Sequence, residues 1–273
     1  MRLFIAAFLM IVSVGVAHAQ STLTQNLTAQ KLPKFSGNAG VGYNSNFARQ
    51  RTTDSEQSIS GDFTLNYRVS GSNLIRGYFG GTKEITQGQE WLPSDGFAAW
   101  VNNGFWGKHG RVTIGQQVRI HAPLSKESRL RDTKYTGVSL IPVFQVSVAP
   151  AVLFIYQPNA SKNFHTYKVN KLGNTNAEYG LSHTAAIAWS ITDHVYFQPT
   201  YIYRNTWSYG GTRRDPSYAV AGELGYSFNS GITLAAGWTN EEAMRRFENG
   251  ADTDLQAFDN NTSTFYTSLY WIF

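Results

Sequence analysis

Two pairs of neighbouring side chains have the types that hydrolytic chemistry uses: Ser182 with His183, and Asp193 with His194. A serine becomes a nucleophile when a histidine within hydrogen-bond reach takes its proton, and an Asp–His pair at a rim can activate water. Neither pair is placed for that work. Successive residues of a strand point to opposite faces, which separates Ser182 from His183. Asp193 and His194 fall in the short turn "TDH" (Thr192 to His194), where polar residues make the turn. No His-x-Ser occurs, and His121, His165 and His183 lack metal-ligand spacing. There is no cysteine and no phosphate-cradling glycine loop. No enzyme, metal or cofactor is expected.

A second set of residues acts by charge alone. Arg68, Arg76, Arg111 and Arg119 lie on the polar faces of early strands, with Asp62 and Glu84 among them. Glu178, Glu223 and Glu241 lie on later strands, with Arg204 between. Fixed on two walls of a water-filled path, such charges orient dipolar solutes and bias ion flow. The alternative is that they pair off as structural ion pairs. Arg68 and Arg76 flank the Gly71–Asn73 turn symmetrically and are expected as direct cross-strand neighbours. Like charges so placed cost roughly a few tenths of a kcal/mol or more unless water or an anion screens them.

Those charges need strands to hold them, and from Phe35 onward the sequence has period two. In "SISGDFTLNYRV" (Ser58 to Val69), Ile59, Phe63, Leu65, Tyr67 and Val69 share one face, and Ser60, Asp62, Thr64, Asn66 and Arg68 the other. The pattern predicts twelve strands, near 36–46, 57–69, 74–84, 96–106, 111–121, 134–141, 145–157, 178–191, 195–205, 217–228, 232–240 and 263–273. Tight turns at Gly71–Asn73, Gly107–Gly110, Thr192–His194 and Asn229–Gly231 alternate with long polar loops, such as 161–176 and 240–261. Short turns on one side and long loops on the other are the plan of an outer-membrane barrel.

Composition agrees. A mean hydropathy of -0.30 is too polar for a bundle of membrane helices, while 14% aromatics and 25 glycines suit strands and turns. The net charge of +5 is small and spread, with no Lys/Arg block, so nucleic acid is not an expected partner. "MRLFIAAFLMIVSVGVAHAQ" reads as a signal peptide over residues 1–19, cleaved after Ala19. Residues 20–34 would be an N-terminal periplasmic segment, and 35–273 an all-β antiparallel transmembrane barrel. A soluble sandwich does not account for the aromatics. Tyr67, Phe105, Trp189, Tyr226, Phe228, Trp271 and Phe273 fall at short-turn ends, and Tyr43, Phe79, Tyr203, Tyr218 and Trp238 near long-loop ends. Two such rings are the girdles of a lipid band.

The ending "YTSLYWIF" resembles the carboxyl-terminal signature of Gram-negative outer-membrane barrels, with Phe273, Trp271 and Leu269 at alternating positions. The resemblance implies that the barrel assembly machinery reads it. "WGKHGRVTIGQQ" (Trp106 to Gln117) resembles a porin turn and strand, with Gln116 where porins usually carry Arg. "LIPVFQVSV" resembles the Ser-Pro-x-Phe periplasmic turn of the same proteins. In trimeric porins the loop after the fifth strand narrows the pore. The likeness implies that role for 121–133, with Lys126, Arg129, Arg131 and Asp132 as constriction charges.

Twelve strands make a narrow lumen. The small inward residues Gly40, Gly42, Gly80, Gly115, Ala186, Ala188, Ala219, Ala221, Ala235 and Gly237 suggest an open path, or ease curvature. The expected function is passive diffusion of small hydrophilic solutes or ions. The alternatives are a barrel acting through its loops, and an outer-membrane lipid-modifying enzyme. Expected partners are outer-membrane lipids, lipopolysaccharide and the assembly machinery.

Overall fold

The computed structural model describes residues 33–46, 57–86, 90–106, 111–243, 256–259 and 263–273. The signal peptide, nearly all of the 20–34 segment, the Gly107–Gly110 turn and the Phe105 side chain lie outside them. The strands are β1 (Phe35–Ser45), β2 (Gln57–Arg68), β3 (Asn73–Glu84), β4 (Trp91–Pro93), β5 (Gly96–Trp106), β6 (Val112–Ala122), β7 (Lys134–Ala149), β8 (Val152–His165), β9 (Ala177–Ser190), β10 (Val195–Ser208), β11 (Ser217–Ser227), β12 (Ile232–Ala243) and β13 (Thr264–Ile272). All but β4 are long, and each pairs antiparallel with the next. β1 closes the sheet by pairing with both β2 and β13, giving a barrel of twelve strands; β4 only extends the edge of β3.

Alternation decides which way each residue faces. On β2, Ser60, Thr64 and Asn66 are buried while Ile59, Phe63, Leu65 and Tyr67 are exposed. A protein that exposes Phe63, Ile75, Phe79, Ile120, Leu140, Leu224, Leu234 and Leu269 and buries Asn38, Ser60, Thr64, Gln117 and Ser139 is inverted relative to a water-soluble one. That surface is stable in lipid, where a closed barrel also leaves no unpaired strand edge. Aromatics cluster at the short-turn end: Phe35 on Tyr67 (5.1 Å), Tyr226 on Phe228 (4.8 Å) and Trp271 on Phe273 (5.1 Å).

Three expectations need correction. Residues 134–149 form one strand, so "LIPVF" is strand interior and the turn is Pro150–Ala151. Ile141 faces inward and Leu140 outward, and with both faces apolar the two-residue period loses its phase. Pro142 and Pro158 lie opposite each other on β7 and β8. The ladder is registered at Leu140↔Ala160 and resumes at Phe144↔Tyr156; it is interrupted at the positions between, because neither proline has an N–H to donate. Second, Arg68 pairs with Leu74 and Arg76 with Asn66, so the two arginines are diagonal rather than direct neighbours. The hairpin is centred on Gly71, one residue earlier than the symmetric placement supposed, which slips the register by two. Third, Tyr218 is fully buried, because the segment before β13 covers it: Gln256 N donates to its hydroxyl (3.1 Å). Of the small inward residues, Ala186 and Ala188 pack with Ile155, Val143 and Leu153, and Ala219 with Ile202.

Candidate functional site

The lumen-facing charges are not equivalent. Arg204 and Glu241 reach across β11 and form an ion pair of 2.6 Å. Glu178 lies 3.5 Å from Lys162 near the long-loop end of β9. Arg68 sits at the short turn, where its Nη1 donates to Gly71 O (3.4 Å), and Arg111 is exposed ahead of β6. Asp62 receives a long hydrogen bond from Asn38 Nδ2 (3.5 Å). Asp62 also stands beside Tyr270 over Gly40, and the other charges do not gather into one site.

Arg76 and Arg119 do. Arg76 pairs with Ala99 on β5, and Ala99 pairs with Arg119 on β6, so the guanidiniums stand on either side of a buried methyl. Each is steadied by a neutral group: Arg76 Nε donates to Asn66 Oδ1 (2.8 Å), and Arg119 Nη2 to Gln117 Oε1 (2.9 Å). Arg119 lies 4.4 Å above the Phe97 ring, which stacks on Tyr78 at 5.1 Å. A flat guanidinium over a ring keeps its donor edge free for an oxyanion. The basic wall is thus a pair of arginines on an aromatic floor.

Opposite stands Glu223. β11 is six strands from β5 in either direction round the barrel. The registers carry one circuit of the ladder up by about sixteen residues, and on that stagger Arg76, Arg119 and Glu223 share one level. Glu223 is not bare. Tyr196 and Tyr266 donate to its two oxygens (2.8 and 3.0 Å), and only 3% of the residue is exposed. The tyrosine rings lie where glycines leave room. A Cβ on Gly225 would collide with Tyr196, and one on Gly237 would stand 2.6 Å from Tyr266. Gly40 makes the same room for Tyr270 and for Asp62.

Sequence reasoning singled out both arginines and Glu223 but not the tyrosines that cap the acid, nor Phe97. Aromatic residues on the polar face of β10 and β13 were the available signal. It also passed over His121, whose Nε2 lies 2.6 Å from Ser139 Oγ across β6 and β7. That serine is 1% exposed, so the contact is a buried hydrogen bond and offers no nucleophile to a substrate. Ser182 faces inward, while His183 faces outward against the Tyr156 hydroxyl (2.7 Å).

The 121–133 segment holds a five-residue π-helix, Glu127–Arg131. Ser125 N and Ser128 Oγ donate to Asp95 (3.0 and 2.5 Å) ahead of β5, and Asn176 Nδ2 donates to Asp132 O (2.7 Å). Lys126 pairs with Glu90 (2.6 Å), Arg131 with Glu127 and Asp132, and Arg129 is exposed. The segment is fastened at the rim to neighbouring loops, and these contacts occupy Lys126, Arg131 and Asp132 there.

Solved structures share this architecture. The COG4313 outer membrane channel from Pseudomonas putida F1 matches with a TM-score of 0.61 at 12% identity, over 89% of this chain and 97% of that one. The NanC porin matches with a TM-score of 0.57 at 9% identity, over 86% and 98%. The fold is that of an outer-membrane antiparallel β-barrel. No family model and no curated protein matches the sequence. Similarity this low carries the fold, and the lumen chemistry of this barrel rests on its own residues.

Proposed function

We propose that this chain is an outer-membrane porin-like channel for passive diffusion of small hydrophilic solutes, with anions favoured at the level of Arg76 and Arg119. The observation that carries the reading is the mismatch of charge at mid-lumen. Arg204 is neutralised by Glu241, whereas Arg76 and Arg119 hold only amide oxygens and aromatic rings among the described residues. Glu223, at the same level, presents tyrosine hydroxyls and rings in place of its oxygens. A solute therefore meets on one wall an acid screened by tyrosine hydroxyls, and on the other two arginines without a carboxylate partner among the described residues. In a narrow lumen with low-dielectric walls such a charge raises the local anion concentration. The apolar exterior and aromatic ends support residence in the outer membrane, in contact with its lipids and lipopolysaccharide.

Planar-bilayer recordings of the refolded protein across a potassium chloride gradient test this. Anion selectivity is expected, and Arg76→Glu with Arg119→Glu reverses its sign. Arg68→Glu, at the short turn, shifts the reversal potential less than Arg119→Glu does. A folded sample that never conducts rules out the channel and favours a barrel acting through its loops.

A further inference from the structure

Resting on the channel reading above, we propose that the Arg76–Arg119 level is a recognition site for small aromatic carboxylates. Two features beyond charge point there. The first is the aromatic content of that level. Phe97 and Tyr78 stack beneath Arg119. Across the lumen Tyr196, Tyr266 and Tyr270 are set against Gly225, Gly237 and Gly40. A polar solute path gains nothing from rings seated so closely that a single methyl at Gly225 or Gly237 would collide with them.

The second is where the tyrosine hydroxyls go. Tyr196 and Tyr266 spend theirs on the two oxygens of Glu223, which fixes the rings and withdraws those donors from the lumen. A sugar acid would bring hydroxyls that need partners on that wall, and a polar group left without one is costly to desolvate. An aryl ring needs only ring faces and edges, which pair in offset or edge-on geometry. On the basic wall, Arg119 keeps donors beyond the one given to Gln117, and Arg76 beyond the one given to Asn66. The two forks flank Ala99 on strands two apart, and guanidinium forks match a carboxylate with two parallel bonds. Such an acid fits with its carboxylate on β3 and β6 and its ring toward β10, β13 and Tyr78.

Bi-ionic reversal potentials of the refolded barrel decide it, with chloride on one side and benzoate or glucuronate on the other. Benzoate is expected to permeate ahead of glucuronate by about fivefold or more, the scale of one or two such contacts. Arg119→Lys keeps the charge and loses the flat fork, so benzoate and glucuronate should become equal. Phe97→Leu should reduce the benzoate preference. Titration calorimetry of the folded protein with benzoate gives a readout independent of conduction, and wild type should bind more tightly than Arg119→Lys. A barrel that conducts but passes both acids equally, or keeps its preference in Arg119→Lys, overturns the aromatic site and leaves the channel standing. A folded barrel that neither conducts nor binds benzoate overturns both.

Discussion

Arg204 and Glu241 approach to 2.6 Å across the lumen face of β11, each side chain little more than one-tenth exposed. They are placed by register alone. Arg204 pairs with Ser217 and Glu241 with Ala219, so the two long side chains converge over the small residues of the strand between. Ion pairs of this kind tie strands that share no hydrogen bond, and they remove charge from the path.

Breaking this pair from one side leaves a poorly hydrated charge. Arg204→Gln should destabilise the barrel by about 2–3 kcal/mol, at or just below the range for a dry buried pair. Glu241→Gln should cost a similar amount. The double variant should recover at least half of the summed loss, since no charge is then stranded. Urea unfolding in lipid vesicles measures all four corners of the cycle. Additive losses would mean that the two groups act separately.

The glycines opposite the tyrosines make a sharper claim, because sequence alone gives them a different meaning. Gly237→Ala places a methyl 2.6 Å from the Tyr266 ring and should cost about 1–3 kcal/mol as overpacking. Gly77, exposed on β3 with nothing within 4 Å of its missing Cβ, should accept alanine with little change or a gain of about 0.5 kcal/mol. Equilibrium unfolding midpoints separate the two. Equal effects would show that inward glycines serve curvature only.

Those glycines also mark what the sequence could disclose. Period two locates the long strands other than β7 and β8, since one face must meet lipid and the other the lumen, and β1, β2, β5 and β11 begin and end within about two residues of expectation. It fails at β7, where Leu140 and Ile141 point to opposite faces and both are apolar. Relations between strands were hidden for another reason. A two-residue slip in the β2–β3 turn changes no residue's face, yet it moves Arg76 from Arg68 to Asn66. The alignment of Arg76, Ala99 and Arg119 needs two registers, and that of Glu223 with them needs the stagger of the closed barrel. Gly237 reads as empty space until Tyr266, on the neighbouring strand, is known to lie over it.

Phe273 ties the closing strand to both neighbours of the seam. Its backbone exchanges hydrogen bonds with Gly37 (2.9 and 3.1 Å), and its ring stacks on Phe63 of β2 at 6.1 Å and leans on Trp271 at 5.1 Å. Phe273→Ala keeps the backbone bonds and loses the ring, so the refolded barrel should lose about 1 kcal/mol, the worth of an aromatic contact. If the terminal aromatic is also read during assembly, abundance in the outer membrane should fall much further than that loss predicts. Phe63→Ala removes the other side of the same stack and leaves the carboxyl terminus intact. The two variants should therefore match in vesicles and diverge in cells, with Phe273→Ala the scarcer. Equal abundance would assign Phe273 to the seam alone.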